Sequence, residues 1–342
     1  MDSRDLEDLL EEMFSKKRPD VAPGEADGAE EDSAAPPTGP SNSGQEGWGQ
    51  GPIRISVDAE ERVNFAMHHN KIPVVRRLAV KNVGDQVLEM VKISLHLDVG
   101  NLEDEEFADT VTLRLERIGP AEEFVFNSVP LLLKSQAMVR LDEEVAGHLY
   151  IKARVDEVVH GSHVHEIGLL AFNQWNAAHP AKQILAAHVQ PNHPAVKEVL
   201  QGAQVLIEKR TGDSSLQGYQ SGPERVKQIA HAIYDTLGDR DIKYINPPAG
   251  WEKTGQKVRA PDQVLDDRQG TCIDLACVYA SCLEQAGLHP VIYVIEGHAF
   301  AGVFLQETSL KSPVTDEVNL VLNLQDENIV LPIEAVGFTS KL

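Results

Sequence analysis

Two hydrophobic rhythms divide the chain. From Ile53 to about Gln174 apolar and polar residues alternate with a period near two, which sends successive side chains to opposite faces of a strand. Residues 74–82, 87–97, 111–118, 138–141, 149–159 and 163–172 are predicted strands, with turns at Gly84-Asp85, Gly119-Pro120 and Gly161-Ser162. Asn82-Val83-Gly84-Asp85 is expected to reverse the chain while both flanking strands keep their apolar faces inward. Several short antiparallel strands with no long helix between them predict a β-sandwich.

After Trp175 the spacing becomes helical. Helices are predicted over 180–188, over 194–209 with Pro194 at its start, and over 223–237 with Val226, Ile229, Ile233 and Leu237 on one side. A further helix opens at about Cys272 and closes at Gly287. Residues 244–251, containing Pro247-Pro248, fit neither a helix nor a central strand, and read as a rigid loop holding aromatic groups beside a cleft. The fold class is therefore multidomain α/β: a tail over 1–52, a β-sandwich over 53–174 and an α+β domain over 175–342. In the tail, Leu6, Leu9, Leu10, Met13 and Phe14 share a helical face, which suits a solvated helix or a docking peptide over 2–14. Residues 19–51, with Trp48 as their lone large apolar side chain, have linker composition.

Charge narrows the function classes. With 53 Asp and Glu against 31 Lys and Arg, the net charge of -22 repels phosphate backbones, so direct nucleic-acid binding is disfavoured. The three cysteines lie between Cys272 and Cys282, fit no disulfide scaffold and suggest a reducing compartment. With no leader-like start and no apolar run of membrane-spanning length, a soluble cytoplasmic protein is expected. No Walker-type Gly-Lys-Ser or Gly-Lys-Thr loop is present.

Candidate chemistry centres on Cys272. Free N–H groups and the dipole at a helix start favour a thiolate over a thiol, and a thiolate is a nucleophile. The strand 291–295 and the turn Glu296-Gly297 deliver His298 to the head of the run 299–305, where an imidazole can act as the base for that sulfur. Cys277 and Cys282, among Leu275, Val278 and Leu283, read as small buried hydrophobes, and their spacing argues against a metal site. No cofactor is called for. Asp274 is expected to offset the helix dipole and pair with Arg259 or Arg268. His68, His69 and Asn70 read as loop structure. His160, His163 and His165 lack a closed zinc ligand set. His179, His188 and His193 read as structural or as a substrate rim.

The phrases Gly-Thr-Cys-Ile-Asp-Leu-Ala at 270–276 and Gly-His-Ala-Phe-Ala-Gly at 297–302 resemble the transglutaminase-like superfamily of papain-type cysteine hydrolases. With Asn64-Phe65-Ala66-Met67-His68-His69-Asn70, Pro191-Asn192-His193-Pro194, Gly255-Gln256-Lys257-Val258-Arg259 and the run 282–290, the chain from Ile53 onward resembles a narrower group. That group is the bacterial N-terminal module of uncertain function in large superfamily-1 helicase and nuclease proteins of mobile-element and anti-phage defence. The resemblance implies an acid from a following strand, for which Glu334 is the match, with Asp326 and Asp316 as weaker substitutes. Relatives tend to follow that acid with threonines, whereas here Ala335-Val336-Gly337 follows. It also implies Gln256 as an oxyanion donor beside the Cys272 backbone N–H. The expected activity is amide cleavage through a thioester on a protein substrate, by Cys272, His298, Glu334 and Gln256. The alternative is a non-enzymatic recognition or scaffold module that docks a helicase or nuclease.

Overall fold

The structure, a computed structural model, describes residues 51–100, 107–180 and 182–339. A β-rich N-terminal region precedes a more helical C-terminal region, giving a mixed α/β architecture. The 2–14 segment and the linker up to residue 50, Trp48 included, lie outside the described residues.

In the first region the elements run β1 (Ile53–Ala59), β2 (Arg62–Val63), α1 (Phe65–His69), β3 (Val75–Asn82), β4 (Leu88–Asp98), β5 (Ala108–Asp109) and β6 (Val111–Ile118). They continue through β7 (Glu123–Val129), β8 (Leu132–Leu133), α2 (Ser135–Met138), β9 (Val145–Val155) and β10 (Val158–Leu169). One sheet has the order β1-β3-β7 and a second the order β2-β10-β9-β4-β6. Alternation drives their association: Leu78 and Val80 of the first sheet share one core with Ile93, Leu95, Leu149 and Ile151 of the second. Burying each such side chain is worth about 1.5–3 kcal/mol.

Four details depart from the sequence reading. Residues 138–141 do not form a strand; the segment makes the single helical turn α2, which buries Ala137 and Met138, and Val139 stays in the helical region at φ -68°. The β9–β10 hairpin turns at Asp156-Glu157, both at positive φ (47° and 66°), as the twist of a tight hairpin demands. Gly161 instead lies inside β10, where a Cβ would come within 2.4 Å of the Ile53 carbonyl oxygen, so this glycine marks a close approach of β1. The Asn82–Asp85 corner joins strands of different sheets. Buried Asn82 pins it by donating from Nδ2 to the Gln86 and Ile118 carbonyls at 2.7 and 3.2 Å. The seven-residue strands β1 and β7, like the two-residue β2, β5 and β8, are not singled out by periodicity.

The second region runs β11 (Gln174–Trp175), a 3₁₀ segment Lys182–His188 where an α-helix was expected, α3 (Pro194–Thr211), α4 (Pro223–Gly238), β12 (Lys243–Tyr244), α5 (Trp251–Thr254) and β13 (Gln256–Lys257). Then follow α6 (Pro261–Asp267), β14 (Gln269–Gly270), α7 (Cys272–Gln285), β15 (Pro290–Ile295), β16 (His298–Phe304), α8 (Val318–Asp326) and β17 (Val330–Ile333). Helix α7 is apolar all round and buried from Cys272 to Leu283, the mark of a central helix. Helices α3 and α4 pack with it in one core, and the antiparallel sheet β15-β16-β17 lies alongside. Helix α8 is different: none of its residues is buried, and Val318 and Leu320 are exposed. Among the described residues no helix is long and apolar enough to cross a membrane.

Candidate functional site: the start of the central helix

Helix α7 begins where it does because Thr271 caps it. The Thr271 hydroxyl accepts from the Asp274 N–H, and the Asp274 carboxylate accepts from the Thr271 N–H at 2.9 Å. Asp274 is fully buried and also accepts from the Arg259 backbone N–H and guanidinium, each at 2.8 Å. Arg259, not Arg268, is thus its partner. This arrangement fixes Cys272 as the first helical residue.

Two short pairings gather other side chains there. Strand β12 runs parallel to β14 with Tyr244 opposite Gly270, two residues before the cysteine. Burial first, then the neighbouring Cys272, raises the Tyr244 phenol above the usual range. Strand β11 pairs with β13, setting Trp175 opposite Gln256. Gln256 is buried and donates from Nε2 to Thr271 Oγ1 at 2.9 Å, while its Oε1 has no hydrogen-bond partner. The indole N–H groups of Trp175 and Trp251 are also buried without partners, and both rings share an apolar cluster with Cys272, Leu185, Val258 and Ala299.

His298 arrives from the other side, as the first residue of β16. The register pairs Ala301 with Ile333, so the residue that follows β17, Glu334, comes within reach of the imidazole. His298 Nε2 and Glu334 Oε2 are 2.7 Å apart. The other carboxylate oxygen, Oε1, accepts from the Val336 N–H at 2.8 Å, which locks the acid in a cap of the turn that follows. Burial, the largest single influence on His298, pulls its pKa down. Hydrogen bonds to Cys272 and Glu334 and the charges of both outweigh it together and push the value up to about 9. Phe300, two residues along the same strand, stacks on the imidazole.

The structure therefore pairs His298 with Glu334 and joins Gln256 to the cap of the helix that Cys272 opens, with Cys272 near enough to His298 to help raise its pKa. Cys272 has no exposed surface, whereas the His298 side chain is 24% exposed. Asp316, before α8, and Asp326, its last residue, make no hydrogen bond to His298 among the described residues. Burial pushes the thiol of Cys282 up to about 12 and that of Cys277 higher still, so neither is a nucleophile. Tyr244 was read from the sequence only as part of an aromatic loop; its parallel pairing with Gly270 leaves no local signature.

The other histidines that the sequence brought forward stand apart from this site. His68 meets Ser135 at 3.1 Å, His69 stacks on Phe65, and His193 accepts the Ala195 N–H at the start of α3. His160, His163 and His165 lie within β10 and do not straddle a turn; His165 contacts the Glu60 carbonyl at 3.0 Å. His179 faces Glu60 at 3.3 Å, and burial lowers His188 to about 4. No group of metal-ligating side chains is assembled among the described residues.

No family model matches the chain, and no curated protein matches it. Among solved structures, one similar chain is a candidate protease from Parabacteroides distasonis ATCC 8503, 13% identical, with a TM-score of 0.21 over 66% of this chain and 43% of that one. Another is a family 76 glycoside hydrolase from a bovine Bacteroides thetaiotaomicron strain, 10% identical, with a TM-score of 0.18 over 69% of this chain and 50% of that one. The chain thus spans half or less of the length of either, and likeness at this level defines no common fold.

Proposed function

We propose that the chain is a thiol hydrolase of the transglutaminase-like, papain-type class, cleaving amides of a protein substrate through a thioester. The observation that carries this reading is the 2.7 Å bond between His298 Nε2 and Glu334 Oε2, on an imidazole whose pKa is raised by Cys272 as well as by the acid. With Nε2 committed to the acid, Nδ1 is the nitrogen left to exchange a proton with the sulfur. The Cys272 sulfur attacks the carbonyl carbon, forming the C–S bond while its proton rests on His298. The Cys272 backbone N–H, unpaired within a helix's first turn, and the amide hydrogen of Gln256 not given to Thr271 supply donors for the oxyanion. Collapse breaks the C–N bond, and the imidazolium protonates the departing amine. Water, deprotonated by the same imidazole, then releases the acid; an amine in its place gives a cross-link.

Entry of a substrate requires movement in the buried cluster that Cys272 shares with Trp175 and Trp251. The sequence motifs support a setting in bacterial defence, with a helicase or nuclease as the protein partner. A second reading, a recognition or scaffold module without catalysis, is favoured by the absence of any exposed surface on Cys272. Trapping with an electrophilic amide-mimicking probe separates the two. Covalent capture in the native chain that is lost in Cys272→Ala supports the hydrolase, and equal capture by both variants sinks it.

A further inference from the structure

The outward face of the five-stranded sheet carries a concave basic surface of about 460 Å³ that the proposed reaction does not use. Register builds it. Arg154 of β9, Lys92 of β4 and Arg114 of β6 stand in one row across three neighbouring strands, and Lys152, Ser94 and Thr112 form the next. Lys92 and Arg114 are exposed, and Lys152 and Arg154 half-buried.

None of these four cations has a carboxylate within ion-pair range among the described residues. In a chain of 53 acids and 31 bases that isolation runs against chance pairing. Their fixed contacts are weak and neutral: Arg154 lies 3.4 Å from the Ser94 hydroxyl, and the Lys152 ammonium stands 5.7 Å over the Tyr150 ring. Like charges on adjacent strands repel, so in the free protein the arrangement costs stability that an anionic occupant would return.

We propose that this face binds a short acidic polypeptide segment, its carboxylates reaching the four cations and its backbone the hydroxyls between them. Strand spacing makes the patch about 10 Å wide across three strands, the span of about three extended residues. Its borders favour a peptide over a polynucleotide. Asp98 of β4 and Glu166 of β10 flank His148 in the row at one end, and Glu116 follows Arg114 on the same face of β6. A phosphate backbone, with a charge every few ångströms, would run onto those carboxylates in either direction, whereas a short acidic stretch ends before reaching them.

The test is fluorescence anisotropy on the full chain, using a labelled decapeptide of Gly-Glu repeats, its Gly-Gln counterpart and a ten-residue thymidine oligonucleotide. The acidic peptide is expected to bind, to weaken as salt rises, and to lose at least tenfold in affinity when Lys152→Glu and Arg154→Glu are combined. Exposed Lys197→Glu on α3, equal in charge per site, should leave binding within about twofold. Circular dichroism and thermal melting establish that the reversed variant is folded. Equal affinity in the reversed and control variants overturns the proposal, and so does binding of the Gly-Gln peptide as tight as that of Gly-Glu. Tighter, reversal-sensitive binding of the oligonucleotide overturns it in favour of a nucleic-acid surface. None of these readouts depends on Cys272, so failure of the hydrolase reading leaves this test intact.

Discussion

Glu334 holds His298 from a position that leaves the carboxylate no freedom: one oxygen accepts from the imidazole at 2.7 Å and the other from the Val336 N–H at 2.8 Å. An acid fixed at both oxygens selects one ring orientation, the requirement for delivering the opposite nitrogen to a sulfur. The expected outcome is that His298→Ala lowers the rate of iodoacetamide modification of Cys272 at pH 6 at least tenfold, with Glu334→Gln intermediate. Mass-spectrometric mapping reads this directly, since it assigns each adduct to its cysteine and burial holds Cys277 and Cys282 as unreactive thiols. Equal rates in all three proteins would remove the imidazole from the chemistry.

The same contacts predict a pH dependence of stability. The folded His298 value of about 9 lies above the ordinary 6.5, so the charged imidazole stabilises the fold. That contribution is fully present below pH 6.5, declines between 6.5 and 9 and is gone above it, with an upper bound of roughly 3 kcal/mol. Urea unfolding followed from pH 6 to 9.5 should show this decline in the native chain and a flatter profile in His298→Gln.

Asp274 concentrates three donors on one fully buried carboxylate: the Thr271 N–H, the Arg259 N–H and the Arg259 guanidinium. Asp274→Ala leaves all three without their acceptor and is expected to cost roughly 3 kcal/mol in chemical denaturation. Asp266→Ala, at an exposed acid of α6, should cost less than about 1 kcal/mol.

Gly255 is required twice over. Its φ is 91°, and a Cβ there would stand 1.9 Å from the Trp175 carbonyl oxygen, well inside van der Waals contact. Gly255→Ala is expected to lose roughly 3 kcal/mol of stability. It should also shift tryptophan fluorescence, because the displaced strand carries Trp175 against Trp251.

What the sequence disclosed followed how local each signal was. Helix α7 was legible because its cap, its apolar run and the closing Gly287 are all contiguous. The expected meeting of His298 and Glu334, 36 residues apart, came from family resemblance, since no periodicity links a strand start to a strand end across α8. The Asp156-Glu157 turn was missed because it holds positive φ without glycine, while Gly161, nearby, imitated a turn for a packing reason. Tyr244 comes to the start of α7 through a two-residue parallel bridge, too short to leave a pattern.

The unburied helix α8 bears on the lifetime of the imidazole's orientation. It leads directly into β17, a four-residue strand at the margin of its sheet, and Glu334 follows at once. Elements with so little apolar anchorage open first in native-state amide exchange and are nicked first by proteases. Cleavage within 318–326 would therefore release the carboxylate while the sulfur, seated on the central helix, stayed in position.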